Sequence, residues 1–271
     1  MGKFDGYLIC SDVDGTLIND GFKIPEANIK AIQYFQSEGG LFTLATGRTP
    51  QGAHLYINEV NPNAPIVCQN GAAIYDNSMK KYLWTSPLED YAYDIIEYAV
   101  KKHPDCGVEV LCEGGIYYVR ENAYTTKHMI DEKFEVIRKD YRDIKEHWLK
   151  ILFADGKEGA DKIQKDLSMT SFADKYQLVR SHVSYYEVLE KTTNKGKALK
   201  KLKEILNINA EKIIAIGDND NDGEMLLAAP NSYAVESASE YAKKCAKYML
   251  DADNNDGAIA RLIEVLEENM K

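Results

Sequence analysis

The chain has 271 residues, 45% of them hydrophobic and 28% charged, and its 43 acidic against 33 basic side chains give a formal net charge of −10. That composition is ordinary for a globular protein and excludes collagen-like, coiled-coil and disordered readings. The acidity argues against nonspecific binding to nucleic acid or an anionic membrane, because the long-range field repels phosphate polymers. At about 150 residues per domain, the length predicts two domains.

Tyr7–Ser11 reads as a buried strand, Pro25–Glu38 as an amphipathic helix stopped by Gly39-Gly40, and Leu41–Ala45 as the next strand. A helix over Thr49–Glu59, a strand at Ile66–Cys68 and an Asn70-Gly71 turn before Ala73–Tyr75 follow. Short apolar runs alternating with helical patterns predict a parallel sheet with crossover helices. From about Tyr82 the rhythm changes. Helix Leu88–Lys102 precedes strands Val108–Leu111 and Ile116–Val119, then Leu149–Phe153, Gly159–Leu167 and Gln177–Arg180 read as strand, helix, strand. That order predicts an α+β layout with antiparallel pairing. After Asn194 the α/β rhythm returns, with helix Lys195–Leu206, strand Ile213–Ile216, helix Gly223–Ala228, strand Ser232–Val235 and a last helix from Gly257. A chain that leaves a core and returns to it carries an insert, so the predicted division is a core of 1–81 and 191–271 with an inserted domain of 82–190.

The five cysteines, Cys10, Cys68, Cys106, Cys112 and Cys245, are odd in number and lack CxxC spacing, which fits a reducing cytoplasm better than a disulfide framework. The apolar run Tyr7–Cys10 is too short for a signal-peptide core, and no stretch approaches the roughly 18 apolar residues of a membrane span. Cytoplasmic residence without membrane insertion is the expectation.

In open parallel sheets, ligands bind beyond the carboxyl ends of the strands. Four clusters fall at such positions or at a helix start: Asp12-Val13-Asp14-Gly15-Thr16, Thr46-Gly47-Arg48, Asn194-Lys195-Gly196, and Gly217-Asp218-Asn219-Asp220-Asn221-Asp222. Asp12 and Asp14 lie two apart, on one side of extended backbone, and two close carboxylates repel unless a cation or proton compensates them. With Asp218 as a third oxygen donor, the set suits Mg²⁺. Thr46 offers a hydroxyl, Gly47 a backbone N–H near a helix N-terminus, and Lys195 a point charge, all of which suit a phosphate. A calcium loop is the rival for Asp218–Gly223, but the twelfth loop position is Ala229 instead of Glu, and a strand precedes the loop where a helix is required.

Together and in this order, the clusters resemble the haloacid-dehalogenase phosphohydrolase superfamily, most closely its Cof-type, subfamily IIB members. Their motifs read D-x-D-G-T, S/T-G-R, a distant K-G and G-D-x-x-N-D, and the likeness extends to a closing Asp256-Gly257 before the last helix. It spans essentially the full chain. The fold it implies is an α/β, Rossmann-like core with a parallel sheet and an inserted α+β cap of the C2 type. The resemblance implies Asp12 as nucleophile forming an aspartyl-phosphate and Asp14 as general acid, then base. It further implies Mg²⁺ held by Asp12, the Asp14 backbone carbonyl and Asp218, with Asp222 either a further ligand or a carboxylate just behind them, and phosphoryl oxygens held by Val13 backbone, Thr46, Gly47, Lys195 and Asn221.

Two positions depart from the family pattern: Glu190-Lys191-Thr192-Thr193 replaces the usual Pro or Gly near the cap exit, and Ser237 stands where an Asn is common. The resulting expectation is an Mg²⁺-dependent phosphatase of small phosphorylated metabolites, sugar phosphates foremost, acting as a monomer or small homo-oligomer without nucleic-acid or membrane partners. A phosphomannomutase-like phosphotransferase is the alternative, and a noncatalytic metal-binding protein a minor one. Tyr117, Tyr118, Arg120, His182 and Tyr185 are the polar and aromatic candidates for reading the leaving group.

Overall fold

In a computed structural model of the chain, which describes residues 2–89 and 92–270, two compact units separate: Met1–Leu83 with Asn194–Lys271, and Trp84–Thr193. The crossings fall two and three residues beyond the predicted 81 and 190. Thr193 explains the later exit: its N–H donates to the Glu190 carbonyl at 2.9 Å, and its hydroxyl bonds the Ser86 hydroxyl at 2.8 Å.

The first unit is built on a parallel five-stranded sheet, in the order Tyr248–Met249, Asn231–Ala234, Ile213–Gly217, Leu8–Ser11, Leu41–Leu44. Leu8 pairs with both Ile213 and Leu41, so the start and the end of the chain lie side by side in the sheet centre. Every residue of Leu8–Ser11 and Ile213–Gly217 is buried, as expected of strands covered on both faces. Helix Glu26–Ser37 packs on Ala258–Asn269, and Lys195–Leu206 on Gly223–Ala228. A bridge from Ala45 to Val67 leads to Ile66–Cys68, which pairs antiparallel with Ala73–Asp76 in a three-stranded sheet whose third member is Lys81–Thr85.

The helix predicted from Thr49 begins only at His54. Thr49 Oγ1 accepts the Gly52 N–H at 3.0 Å and the Thr49 carbonyl accepts from Ala53, so these residues form a side-chain-closed turn first. The helix predicted from Leu88 begins at Tyr93, and the Leu88 N–H donates to the Trp148 carbonyl at 2.7 Å; positions 90 and 91 of that prediction lie outside the described residues.

The second unit has a six-stranded sheet in the order Tyr176–His182, Tyr185–Glu190, Trp148–Ala154, Gly107–Cys112, Gly115–Arg120, Val136–Arg138, antiparallel except for the last pair. Alternation sorts its side chains: Val108, Val110, Ile151 and Phe153 join Ile95, Ile96, Ile163 and Leu167 of helices Tyr93–Lys102 and Lys157–Ser168. Leu111, Leu152 and Ala154 form the other cluster, with Phe134 and Met129. Helix Ala123–Glu132 was not predicted; it starts in a capping box in which Asn122 accepts from the Thr125 N–H and the Thr125 hydroxyl accepts from the Asn122 N–H. The second sheet face also buries charge, with His128 Nδ1 at 2.9 Å from Glu109 and Lys150 Nζ at 2.9 Å from Glu187.

Cys10, Cys68, Cys106 and Cys112 are buried and Cys245 is partly exposed; none is in a disulfide. Among the described residues, no helix is long and apolar enough to cross a membrane.

Candidate active site

Asp12 is the first residue past Leu8–Ser11, and its backbone N–H still donates to Ile216 at 3.0 Å. The chain then turns sharply. Gly15 takes φ +88°, and a Cβ there would sit 2.4 Å from Asp218 Oδ2, so glycine is what lets this loop touch the one after Ile213–Gly217. Thr16 Oγ1 closes the junction by donating to Asp218 Oδ1 at 2.9 Å. Val13 is buried, and its carbonyl accepts the N–H groups of Thr16, Leu17 and Ile18.

The acidic run after Gly217 folds back on itself. Asp222 Oδ2 accepts the backbone N–H groups of Asp218 and Asn219, each at 3.0 Å. Lys195 opens helix Lys195–Leu206, whose cap Asn194 accepts the Lys197 N–H at 2.7 Å. Its fully buried ammonium lies 2.5 Å from Asp12 Oδ1 and 2.6 Å from Asp222 Oδ1. Asp222 thus spends both oxygens on protein donors, which makes it the holder of Lys195 and of the loop before it is anything else.

Asp12, Asp218 and Asp222 can bring one oxygen each within 4.8 Å of one another. Burial, then the neighbouring Asp222 charge, lifts the Asp12 carboxyl well above its usual range despite Lys195. The same two causes push Asp218 up to about 6. Burial alone would lower Lys195, but Asp12 and Asp222 outweigh it and keep the ammonium charged. Three carboxylates around one ammonium leave a formal charge of −2 when all are ionised. Hard oxygen donors with that surplus fit a divalent cation, which would relieve the repulsion that raises Asp12 and Asp218.

Asp14 stands half exposed beside this cluster, and Arg48 grips it through two bonds, Nε to Oδ2 at 2.8 Å and Nη2 to Oδ1 at 2.7 Å. Arg48 also lies over the Tyr56 ring at 5.4 Å. No role was assigned to Arg48 from sequence, although it is the third residue of Thr46-Gly47-Arg48. Thr46 is buried, with its hydroxyl accepting the Arg48 N–H at 3.1 Å. Asn221 Nδ2 donates to Asn70 Oδ1 at 3.0 Å, which brings in a turn that the sequence reading treated as a plain hairpin signal. The structure therefore assembles Asp12, Asp14, Thr46, Gly47, Lys195, Asp218, Asn221 and Asp222 within one unit, at the carboxyl ends of its strands.

Residues 9–263 match the family of haloacid dehalogenase-like hydrolases. The chain belongs to that family. This haloacid dehalogenase-like hydrolase is 28% identical over 275 residues to the 5-amino-6-(5-phospho-D-ribitylamino)uracil phosphatase YitU of Bacillus subtilis, covering 95% of this chain and 96% of the relative. A haloacid dehalogenase-like hydrolase from Bacteroides thetaiotaomicron superposes with a TM-score of 0.84 at 24% identity, covering 96% of this chain and 99% of that one. The subclass IIB sugar phosphatase BT4131 gives 0.80 at 18% identity, with the same two coverages, and shows the shared fold. The hydrolase fold is thus a parallel-sheet core joined to a unit with an antiparallel sheet, of the cap kind.

Within that second unit, three of the five leaving-group candidates are bonded internally. The Tyr117 hydroxyl donates to Glu146, the Tyr118 hydroxyl to the Thr125 carbonyl and the Arg120 guanidinium to the Pro104 carbonyl. His182 and Tyr185 pack ring to ring at 4.8 Å. Structural partners account for what the structure shows of all five.

Proposed function

We propose that this hydrolase is an Mg²⁺-dependent phosphatase of small phosphorylated metabolites. The observation that carries the reading is the meeting of Asp12, Asp218, Asp222 and Lys195 around one point, with the Asp14–Arg48 pair alongside. Beside a nucleophile and an acid, such a site offers positioning and charge neutralisation, which are most of what phosphoryl transfer needs. In this reading Asp12, Asp218 and the Asp14 backbone carbonyl hold Mg²⁺, with Asp222 behind them. When bound, the ion neutralises charge on the substrate's phosphoryl oxygens.

Asp12 attacks phosphorus in line, forming a phosphorus–oxygen bond as the bond to the leaving alcohol breaks. Asp14 gives its proton to the departing oxygen, so the alcohol leaves neutral. The resulting Asp14 carboxylate takes a proton from water, whose oxygen attacks phosphorus and displaces Asp12 with release of inorganic phosphate. Val13 backbone, Thr46, Gly47, Lys195 and Asn221 hold the phosphoryl oxygens throughout. Arg48 steers the Asp14 carboxylate. Sugar and sugar-alcohol phosphates are the proposed class: YitU is named for a phosphoribityl substrate and BT4131 as a sugar phosphatase. The thiols, four of them buried and none in a disulfide, are in keeping with a reducing cytoplasm.

Purified protein with Mg²⁺, screened over sugar phosphates, nucleotides and cofactor phosphates, is expected to release inorganic phosphate without an isomerised sugar phosphate, which separates hydrolysis from a mutase. Asp12→Asn abolishes turnover with the fold intact, and Asp14→Asn slows it by about 10² to 10⁴. Retained activity in Asp12→Asn would remove the nucleophile from this scheme.

A further inference from the structure

Gln69, Asn70 and Gly71 follow the Ile66–Cys68 strand with φ of +52°, +55° and +93°, three consecutive left-handed residues, all of them buried. A tight hairpin needs two such residues and puts them in solvent. Here the turn reaches three of the four clusters that build the site. The Gln69 N–H donates to the Arg48 carbonyl at 2.9 Å and the Asn70 N–H to the Thr46 carbonyl at 3.0 Å. Asn70 Oδ1 accepts Asn221 Nδ2 at 3.0 Å. A Cβ at Gly47 would lie 3.1 Å from the Asn70 carboxamide, and one at Gly71 would lie 2.2 Å from the carbonyl of Asn194, the cap of the helix that begins with Lys195. The Gln69 carboxamide is buried with no hydrogen-bond partner among the described residues. Non-glycine residues remain in this conformation only where their surroundings over-determine it, and such places concentrate at functional sites.

We infer that Asn70 is a positioning residue for Asn221, and that the left-handed turn braces the Thr46, Lys195 and Asn221 loops in a single geometry. The inference rests on the phosphatase reading, in which Asn221 meets a phosphoryl oxygen. The Asn221 amide has two hydrogens. One is held by Asn70, which fixes the carboxamide plane and leaves the second aimed without a rotamer search when substrate arrives. Asn70 is suited to the task because asparagine tolerates positive φ and carries the accepting carbonyl.

The test compares the full chain with its Asn70→Gly, Asn221→Ala and doubly substituted forms, with p-nitrophenyl phosphate and Mg²⁺ as the assay and orthovanadate as the transition-state probe. Glycine accepts the backbone conformation, so Asn70→Gly keeps the fold and its melting temperature. It lowers kcat/KM and weakens vanadate inhibition, each by about tenfold, with most of the loss in kcat, since it removes orientation and leaves the ligating groups in place. In the Asn221→Ala background, Asn70→Gly adds little, because the group it positions is gone. Unchanged vanadate inhibition in Asn70→Gly, or losses that multiply independently in the double variant, would overturn the inference while leaving the phosphatase reading standing. A wild-type chain that neither turns over the ester nor binds vanadate would overturn both.

Discussion

Asp12 and Lys195 are 183 positions apart in the chain and 2.5 Å apart in space. Two neighbouring carboxylates after a strand are visible in sequence; that the distant lysine lands between Asp12 and Asp222 is a product of topology. Arg48 and Asn70 were harder to see, since an arginine in a Thr-Gly-Arg triplet and an Asn-Gly pair both have commonplace explanations as surface residues. Only bond geometry separates them from those explanations. The carboxylates also set a pH dependence. In the metal-free protein, burial and then the Asp222 charge raise Asp218 from 3.8 to about 6. A raised acid favours folding below its unfolded value and loses that contribution as pH climbs through the folded value, so ionising Asp218 opposes folding above about pH 6. Mg²⁺ held as proposed would displace the same proton. Its thermal stabilisation of the protein is therefore expected to be small at about pH 5 and large at about pH 7.5, measured as the shift in Tm with and without saturating metal. An equal shift at both pH values would count against Asp218 as a metal contact.

At the scale of elements, the strands read from continuous apolar runs, Leu8–Ser11, Leu41–Leu44 and Ile213–Gly217, lie within a residue of their expected bounds. Tyr185–Glu190 and helix Ala123–Glu132 were missed for a shared reason: part of what they bury is polar. The strand buries Glu187 against Lys150, and the helix turns Thr125 and His128 inward where periodic aliphatic residues would be expected. Burial alone would lower His128, but the facing charges of Glu109 and Glu132 prevail and lift it to about 10. A histidine raised above its unfolded value of about 6.5 stabilises fully below that value and loses the contribution as pH rises through the folded value. Urea unfolding is thus expected to show stability falling between about pH 6.5 and 10, with a shallower fall in His128→Gln. Parallel curves for the two proteins would show that the histidine is neutral in the fold.

For the whole molecule, the return of the α/β rhythm after Asn194 was the sequence feature that distinguished a split core from two domains in series. The pairing of Leu8 with Ile213 gives that feature its physical form, because the core sheet needs both ends of the chain. Its net charge of −10 bears on polymers and surfaces, whereas in the proposed function a small anion would meet only the local arrangement of Lys195, backbone N–H groups and a metal held by the carboxylates. The folded chain also carries its own reporters of opening. Cys10 and Cys68 lie in one compact unit, Cys106 and Cys112 in the other. Burial pushes Cys10 and Cys112 up to about 12 and Cys106 to about 11, and only thiolate attacks a disulfide reagent. Native protein is expected to release one equivalent quickly from Cys245, with the other four following at the rates at which their units open. Peptide mass spectrometry of a timed alkylation in low urea reads those two rates separately. Five thiols modified together at once would mean that neither interior is closed. Each unit can thereby be clocked with the wild-type sequence, before any probe is introduced.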